Sequence, residues 1–126
     1  MPKDITSIQA YEILSKNDKA VLVDTRTEIE WSSVGTPVVG NQVLRISSHL
    51  APYMDPNTDF ITELNRRIKD LNRDVIFICR SSARSTIAAT NAEKFGYKNC
   101  YVVIDGFEGA KSGPGWLNSN LPFEIL

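Results

Sequence analysis

Thiol and imidazole are scarce in this chain: its 126 residues hold two cysteines, Cys79 and Cys100, and one histidine, His49. Without carboxylates, that set cannot fill a four-ligand structural zinc site. Two cysteines also imply no disulfide framework. Charge of one sign is missing too. Fourteen Lys and Arg against 15 Asp and Glu leave a net charge of −1, so no global basic field points to a nucleic-acid or membrane partner. No apolar run is long enough to span a bilayer, and the N-terminus, Met1-Pro2-Lys3-Asp4-Ile5-Thr6, lacks the apolar core of a signal peptide. A cytoplasmic location is the expectation. Linkers, internal repeats and low-complexity tracts are also absent, so residues 1–126 read as a single domain with one core. Hydrophobic content of 42% and charged content of 23% are ordinary for a globular protein.

Against this plain background, residues 75–89 stand out. Val75-Ile76-Phe77-Ile78 is a short, β-branched apolar run that reads as a buried strand. Cys79 ends it, the polar and basic stretch Arg80-Ser81-Ser82-Ala83-Arg84-Ser85 follows, and Thr86-Ile87-Ala88-Ala89 has helical character. In an open α/β sheet, ligands gather outside the carboxyl ends of strands. A tight strand-to-helix loop can turn its backbone N–H groups toward one point, and the helix beyond adds its positive end. A thiolate held there is stabilised over the thiol, which makes Cys79 a nucleophile near neutral pH. Arg80 and Arg84 add charge for an anionic substrate, with Arg84 placed to reach back across the loop mouth. A strand-terminal cysteine is commonly inert; the two arginines and the Ser-rich loop argue for the reactive reading. Cys100 opens the apolar run Cys100-Tyr101-Val102-Val103-Ile104 and reads as a core residue.

The remaining segments alternate between helical and extended patterns. Thr6-Ser7-Ile8-Gln9 has the form of a capping box and starts a short helix with Ile8, Tyr11, Ile13 and Leu14 on its apolar face. Ala20-Val21-Leu22-Val23 is a buried strand leading into Asp24-Thr25-Arg26, and Thr27-Glu28-Ile29-Glu30 can cap a helix that carries Trp31. Residues 42–46 alternate as a half-exposed strand, followed by His49 in a loop and the turn-rich connection Tyr53–Asn57. A helix from Thr58 or Asp59 presents Phe60, Ile61, Leu64, Ile68 and Leu71 on one face. Gly96 suits the end of the helix after the Cys79 loop. The expected order is helix, strand, repeated four times and closed by a last helix. Such alternation predicts an α/β fold with a mostly parallel central sheet and helices on both faces.

Cys-Arg-Ser-Ser-Ala-Arg-Ser at 79–85 resembles the active-site loop of the rhodanese superfamily, usually written C-R-x-G-x-R-S. Its length is informative. The superfamily's sulfurtransferases have Cys-x-x-x-x-Arg around one sulfane sulfur, whereas the related phosphatases have one residue more around a phosphate. Arg84 closes the short version. The segment Val21–Trp31 resembles the family's strand, D-x-R and acidic helix, with Asp24 and Arg26 as a supporting polar pair. Gly106-Phe107-Glu108-Gly109 resembles its late glycine-rich turn, and Gly113–Trp116 with Leu121-Pro122 its usual ending. Trp116 is placed either to wall a pocket or to pack in the core. Two departures stand out. Ser82 takes the usual glycine position, a strain if that position needs φ > 0. Val34-Gly35-Thr36-Pro37 lacks the histidine of the family's G-H-I-x-G-A.

The resemblance implies a sulfurtransferase that moves a sulfane sulfur from a small anionic donor, such as thiosulfate or a persulfide, to a thiol or protein-thiolate acceptor. Cys79 would carry the sulfur as a persulfide. Arg80, Ser81, Ser82, Ala83, Arg84 and Ser85 would bind the substrate, Asp24 and Arg26 would support the loop, and no metal or organic cofactor would be required. A monomer is expected. Three other readings remain: a non-catalytic sulfide or redox sensor or docking module, a phosphatase, and a redox protein that pairs Cys79 with Cys100.

Overall fold

The computed structural model describes residues 1–126. Five parallel strands form the main sheet: β1 (Lys3–Ile5), β2 (Val21–Asp24), β4 (Val43–Arg45), β7 (Asp74–Ile78) and β8 (Asn99–Val103). Their order is β1-β8-β7-β2-β4, which places β7, the strand leading to Cys79, at the centre. Two short antiparallel pairs lie outside it. β3 (Thr36–Pro37) pairs with β9 (Phe123–Glu124), and β5 (His49–Leu50) pairs with β6 (Asp55–Pro56).

The helices are α1 (Ser7–Lys16), α2 (Glu28–Ser33), α3 (Phe60–Arg67) and α4 (Ala83–Phe95). Side chains alternate across a strand, and β7 divides its residues accordingly. Val75 and Phe77 join Val21, Val23 and Val102 against Phe60 and Leu64 of α3 and Ala88, Ala89 and Ala92 of α4. Ile76 and Ile78 join Leu22 and Val103 on the opposite face, against Ala10 and Leu14 of α1 and against Phe107 and Trp116. The mostly parallel sheet with helices on both faces agrees with the sequence reading.

Local signals act where they were expected. Thr6 Oγ1 accepts from the Gln9 amide at 3.2 Å while Gln9 Oε1 accepts from the Thr6 amide at 2.9 Å, closing the capping box of α1. Gly96 follows α4 at φ +133°, and its N–H reaches the Ala92 and Glu93 carbonyls. No helix is long and apolar enough to cross a membrane.

Several details correct the expectation. The chain opens with a strand: β1 pairs with β8 from Lys3↔Tyr101 to Ile5↔Val103. Only three residues long, it offers no periodicity to read. The closing helix is not there, because residues after β8 form successive turns before β9. α3 stops at Arg67, so Ile68 and Leu71 reach the core from beyond its end. The turn-rich stretch after residue 48 is the β5–β6 hairpin. The last residues brace α2: besides the β3–β9 pairing, the Leu126 amide donates to the Trp31 carbonyl at 3.2 Å.

Candidate active site

Cys79 follows β7 directly and is 1% exposed. Both flanks pin the start of its loop. The Thr25 amide and hydroxyl donate to the Ile78 carbonyl at 2.9 and 3.0 Å, the Phe107 amide to the Cys79 carbonyl at 2.8 Å, and the Glu108 amide to the Arg80 carbonyl at 3.1 Å. These contacts hold the segment's backbone carbonyls, while the amides of Arg80, Ser81 and Ser82 meet no backbone acceptor. Loop N–H groups without a backbone acceptor are available to an anion.

Ser85, fully buried in the first turn of α4, faces the sulfur. Its amide donates to Cys79 Sγ at 3.3 Å, and its hydroxyl lies 3.3 Å from Sγ and 3.1 Å from the Ser82 carbonyl. A hydroxyl has one proton and two lone pairs. Facing a thiol, it can accept from S–H and donate to Ser82; facing a thiolate or persulfide, it can turn its proton to the sulfur.

The two loop arginines take different partners. Arg84 meets Glu30 of α2 fork to fork, Nη1 to Oε1 at 2.8 Å and Nη2 to Oε2 at 2.9 Å. Glu30 Oε1 also accepts from the Thr27 amide and hydroxyl, each at 3.1 Å. Burial opposes ionisation of Glu30, but the hydrogen bonds and charge of Arg84, with those from Thr27, outweigh it and hold the carboxyl below its ordinary value. Hydrogen bonding to Glu30, with further attraction from Glu30, Cys79 and Asp24, raises Arg84 above its ordinary value against the opposing effect of burial. Arg80 is 69% exposed and faces Glu108 at 3.5 Å.

Behind the loop lies a buried polar frame. Asp24 and Arg26 are both fully buried, with Arg26 Nε and Nη2 donating to the two carboxylate oxygens at 3.0 and 2.8 Å. Arg26 also donates to the Gly35 carbonyl and lies 4.2 Å from the centre of the Phe107 ring; Asp24 accepts from the Thr36 hydroxyl at 2.9 Å. Asp105 ties the late turn to α1, accepting from the Ser7 amide at 2.9 Å and the Gly115 amide at 3.0 Å.

Residues 4–125 match the family model of the STR4 middle domain. An uncharacterized protein of Rickettsia conorii is 41% identical over 125 residues, which are 98% of each chain. Rhodanese-like domain-containing protein 4 of Arabidopsis thaliana, a chloroplastic protein, is 30% identical over 115 residues, 90% of this chain but 24% of that protein. Among solved structures, Rv0390 from M. tuberculosis superposes with a TM-score of 0.88 at 41% identity over 98% of both chains. The polysulfide-sulfur transferase homodimer from Wolinella succinogenes shares the fold, at TM-score 0.77 and 23% identity over 98% of this chain and 78% of that one. The chain belongs to the rhodanese-like family.

This rhodanese-like domain brings Cys79 and Ser85 into contact and places Asp24, the last residue of the interior strand β2, and Arg26 just beyond it in a buried ion pair. It does not leave Arg84 spanning the loop mouth, since that side chain turns to Glu30. Ser82 sits at φ −146° and ψ −19°, so a serine meets no left-handed strain at the usual glycine position. Trp116 packs fully buried, edge-on to Tyr11, with its Nε1–H donating to the Pro122 carbonyl at 2.8 Å; it lines no pocket. His49 lies on β5 with Nδ1 2.9 Å from the Ser48 hydroxyl. No group of three or more His, Cys, Asp or Glu side chains is gathered to hold a metal. Sequence reasoning missed Glu30 and Glu108 as partners of the loop. A signal for Glu30 existed: its capping position put a carboxylate one turn into the helix after D-x-R.

Proposed function

We propose that this rhodanese-like domain is a sulfurtransferase that carries sulfane sulfur as a persulfide on Cys79. One observation carries the reading: Cys79 Sγ stands at the carboxyl end of the central strand, 3.3 Å from both the amide and the hydroxyl of Ser85. Those donors, with the free amides of Arg80, Ser81 and Ser82, supply the fixed dipoles that a negatively charged outer sulfur needs. The Cys-x-x-x-x-Arg spacing of the loop, one residue shorter than that of the related phosphatases, favours one sulfur atom over a phosphate.

In the first half-reaction, the Cys79 thiolate attacks the outer sulfur of a donor. The donor's S–S bond breaks, its electron pair leaves with the remainder, and Cys79 holds one added sulfur. Ser85 supports the persulfide from behind. In the second half-reaction, a nucleophilic acceptor, cyanide in an assay or a thiolate in a cell, takes that sulfur and returns Cys79 to the thiolate.

The test is intact mass and cyanide-dependent turnover for the wild type and Cys79→Ser, with thiosulfate and an alkyl persulfide as donors. A one-sulfur mass gain and turnover, both absent in Cys79→Ser, are expected. Failure of both donors to add sulfur would overturn the proposal. Mass gain without turnover to cyanide or thiols would favour a sulfur-holding sensor module over a transferase.

A further inference from the structure

Three guanidinium groups surround the Cys79 loop, and each faces its own carboxylate. Arg26 is matched by Asp24, both with no exposed side-chain surface. Arg84 is matched by Glu30 through two hydrogen bonds. Arg80 is matched by Glu108 at 3.5 Å. A fourth carboxylate, Asp105, lies one residue before Gly106, whose backbone presses on Arg80 and Ser81; it is 2% exposed and is held by Ser7 and Gly115 without a cation. The loop therefore has no surplus positive charge, even before the negative charge of a Cys79 thiolate is counted. The residue types alone suggested the opposite, two arginines waiting for an anion.

Resting on the sulfurtransferase reading above, we infer that the site selects a neutral or singly charged sulfane donor, an alkyl persulfide, over dianionic thiosulfate, and that Glu30 and Glu108 set this preference. Thiosulfate must bring two negative charges to a thiolate whose neighbouring cations are already neutralised, and it meets that repulsion as it approaches through solvent, where salt screens it. Sulfite then departs with both charges. An alkyl persulfide asks less: Cys79–S⁻ attacks the outer sulfur of R–S–SH, the S–S bond breaks, Cys79–S–SH forms and R–S⁻ departs with one charge. Atoms and charge balance without an outside oxidant or reductant.

The experiment is single-turnover sulfur loading of Cys79, followed by intact mass, with 2-hydroxyethyl persulfide and with thiosulfate. Each donor is run from low to high salt on the wild type, Glu30→Gln and Glu108→Gln. Wild-type loading by thiosulfate should accelerate with salt, as for like charges, while persulfide loading, with at most one charge on the donor, should change clearly less. Each variant should raise the thiosulfate rate about 3- to 10-fold and change the persulfide rate less than about 2-fold. Should Glu30→Gln fail to fold, Glu108→Gln, at the loop's outer rim, carries the comparison. A thiosulfate rate that falls with salt, or that neither variant raises, overturns the inference while leaving the sulfurtransferase reading intact. If neither donor adds a sulfur, that reading itself fails.

Discussion

Gly106 lies under Ser81 with no space between them for a methyl group. At φ +62°, a Cβ on Gly106 would overlap the carbonyl oxygens of Arg80 and Ser81 and the Ser81 Cα. The late glycine turn thus acts as a template for the Cys79 loop. Gly106→Ala is expected to cost about 3 kcal/mol in urea unfolding, combining left-handed strain with displaced backbone, and to slow sulfur loading of the folded fraction. Gly40→Ala is the control: φ is +51° with nothing within 4 Å, so it should cost only about 1 kcal/mol and leave loading unchanged.

Removing one member of the buried Asp24–Arg26 pair leaves the other charged and unpartnered. Arg26→Met should destabilise the domain by about 3–5 kcal/mol, whereas Asp24→Asn with Arg26→Met should cost clearly less, because no buried charge is stranded. Denaturant titrations of the two single variants and the double variant check this.

The Glu30–Arg84 pair predicts an acid-side dependence. Glu30's folded-state pKa is held below its ordinary 4.5, so its contribution is complete above that value and fades as pH falls through the folded-state value. Arg84 shifts upward from its ordinary value and titrates outside this window. Stability of the wild type minus that of Glu30→Gln should be about 1 kcal/mol at neutral pH and should shrink toward zero in increasingly acid buffer. A difference that is unchanged by acid would contradict the pairing.

Because Ser82 occupies negative φ, restoring the family's usual glycine relieves no strain. Ser82→Gly should leave the sulfur-loading rate within about 2-fold and should lower stability by about 0.5–1 kcal/mol through added freedom of the unfolded chain. A marked gain in rate would mean that serine obstructs the loop.

Cys100 is 3% exposed in the core, and burial pushes its thiol up to about 12, with Glu93 adding to the shift. In a Cys79→Ser background, native protein should resist iodoacetamide near pH 8, while urea should expose one alkylatable thiol. Fast native labelling of Cys100 would reopen a redox role for it.

Periodicity and caps revealed most of the fold because they are local. Thr6 and Gln9 define where α1 begins, and Val75–Ile78 could only be a buried strand. What escaped depends on partners distant in sequence. β1 exists because Lys3–Ile5 meets Tyr101–Val103, and Ile68 reaches the core only through the packing of neighbours beyond α3. The site divided along the same line. Cys79, Ser85, Asp24 and Arg26 were legible from motif spacing, yet the direction of Arg84 was not, since it is decided by a carboxylate 54 positions away.

The β3–β9 ladder gives the domain a mechanical weak point. Tension applied at Leu126 meets the residue pairs Thr36↔Glu124 and Pro37↔Phe123, and the hydrogen bonds from the Leu126 amide to the Trp31 carbonyl and from the Val38 amide and Trp116 Nε1 to the Pro122 carbonyl, before it reaches the five-stranded sheet. That force would peel the brace away first and loosen α2, the helix that holds Glu30 against Arg84. How the segment from Phe123 to Leu126 is held therefore bears on the charge balance around Cys79, at a distance and without touching the loop.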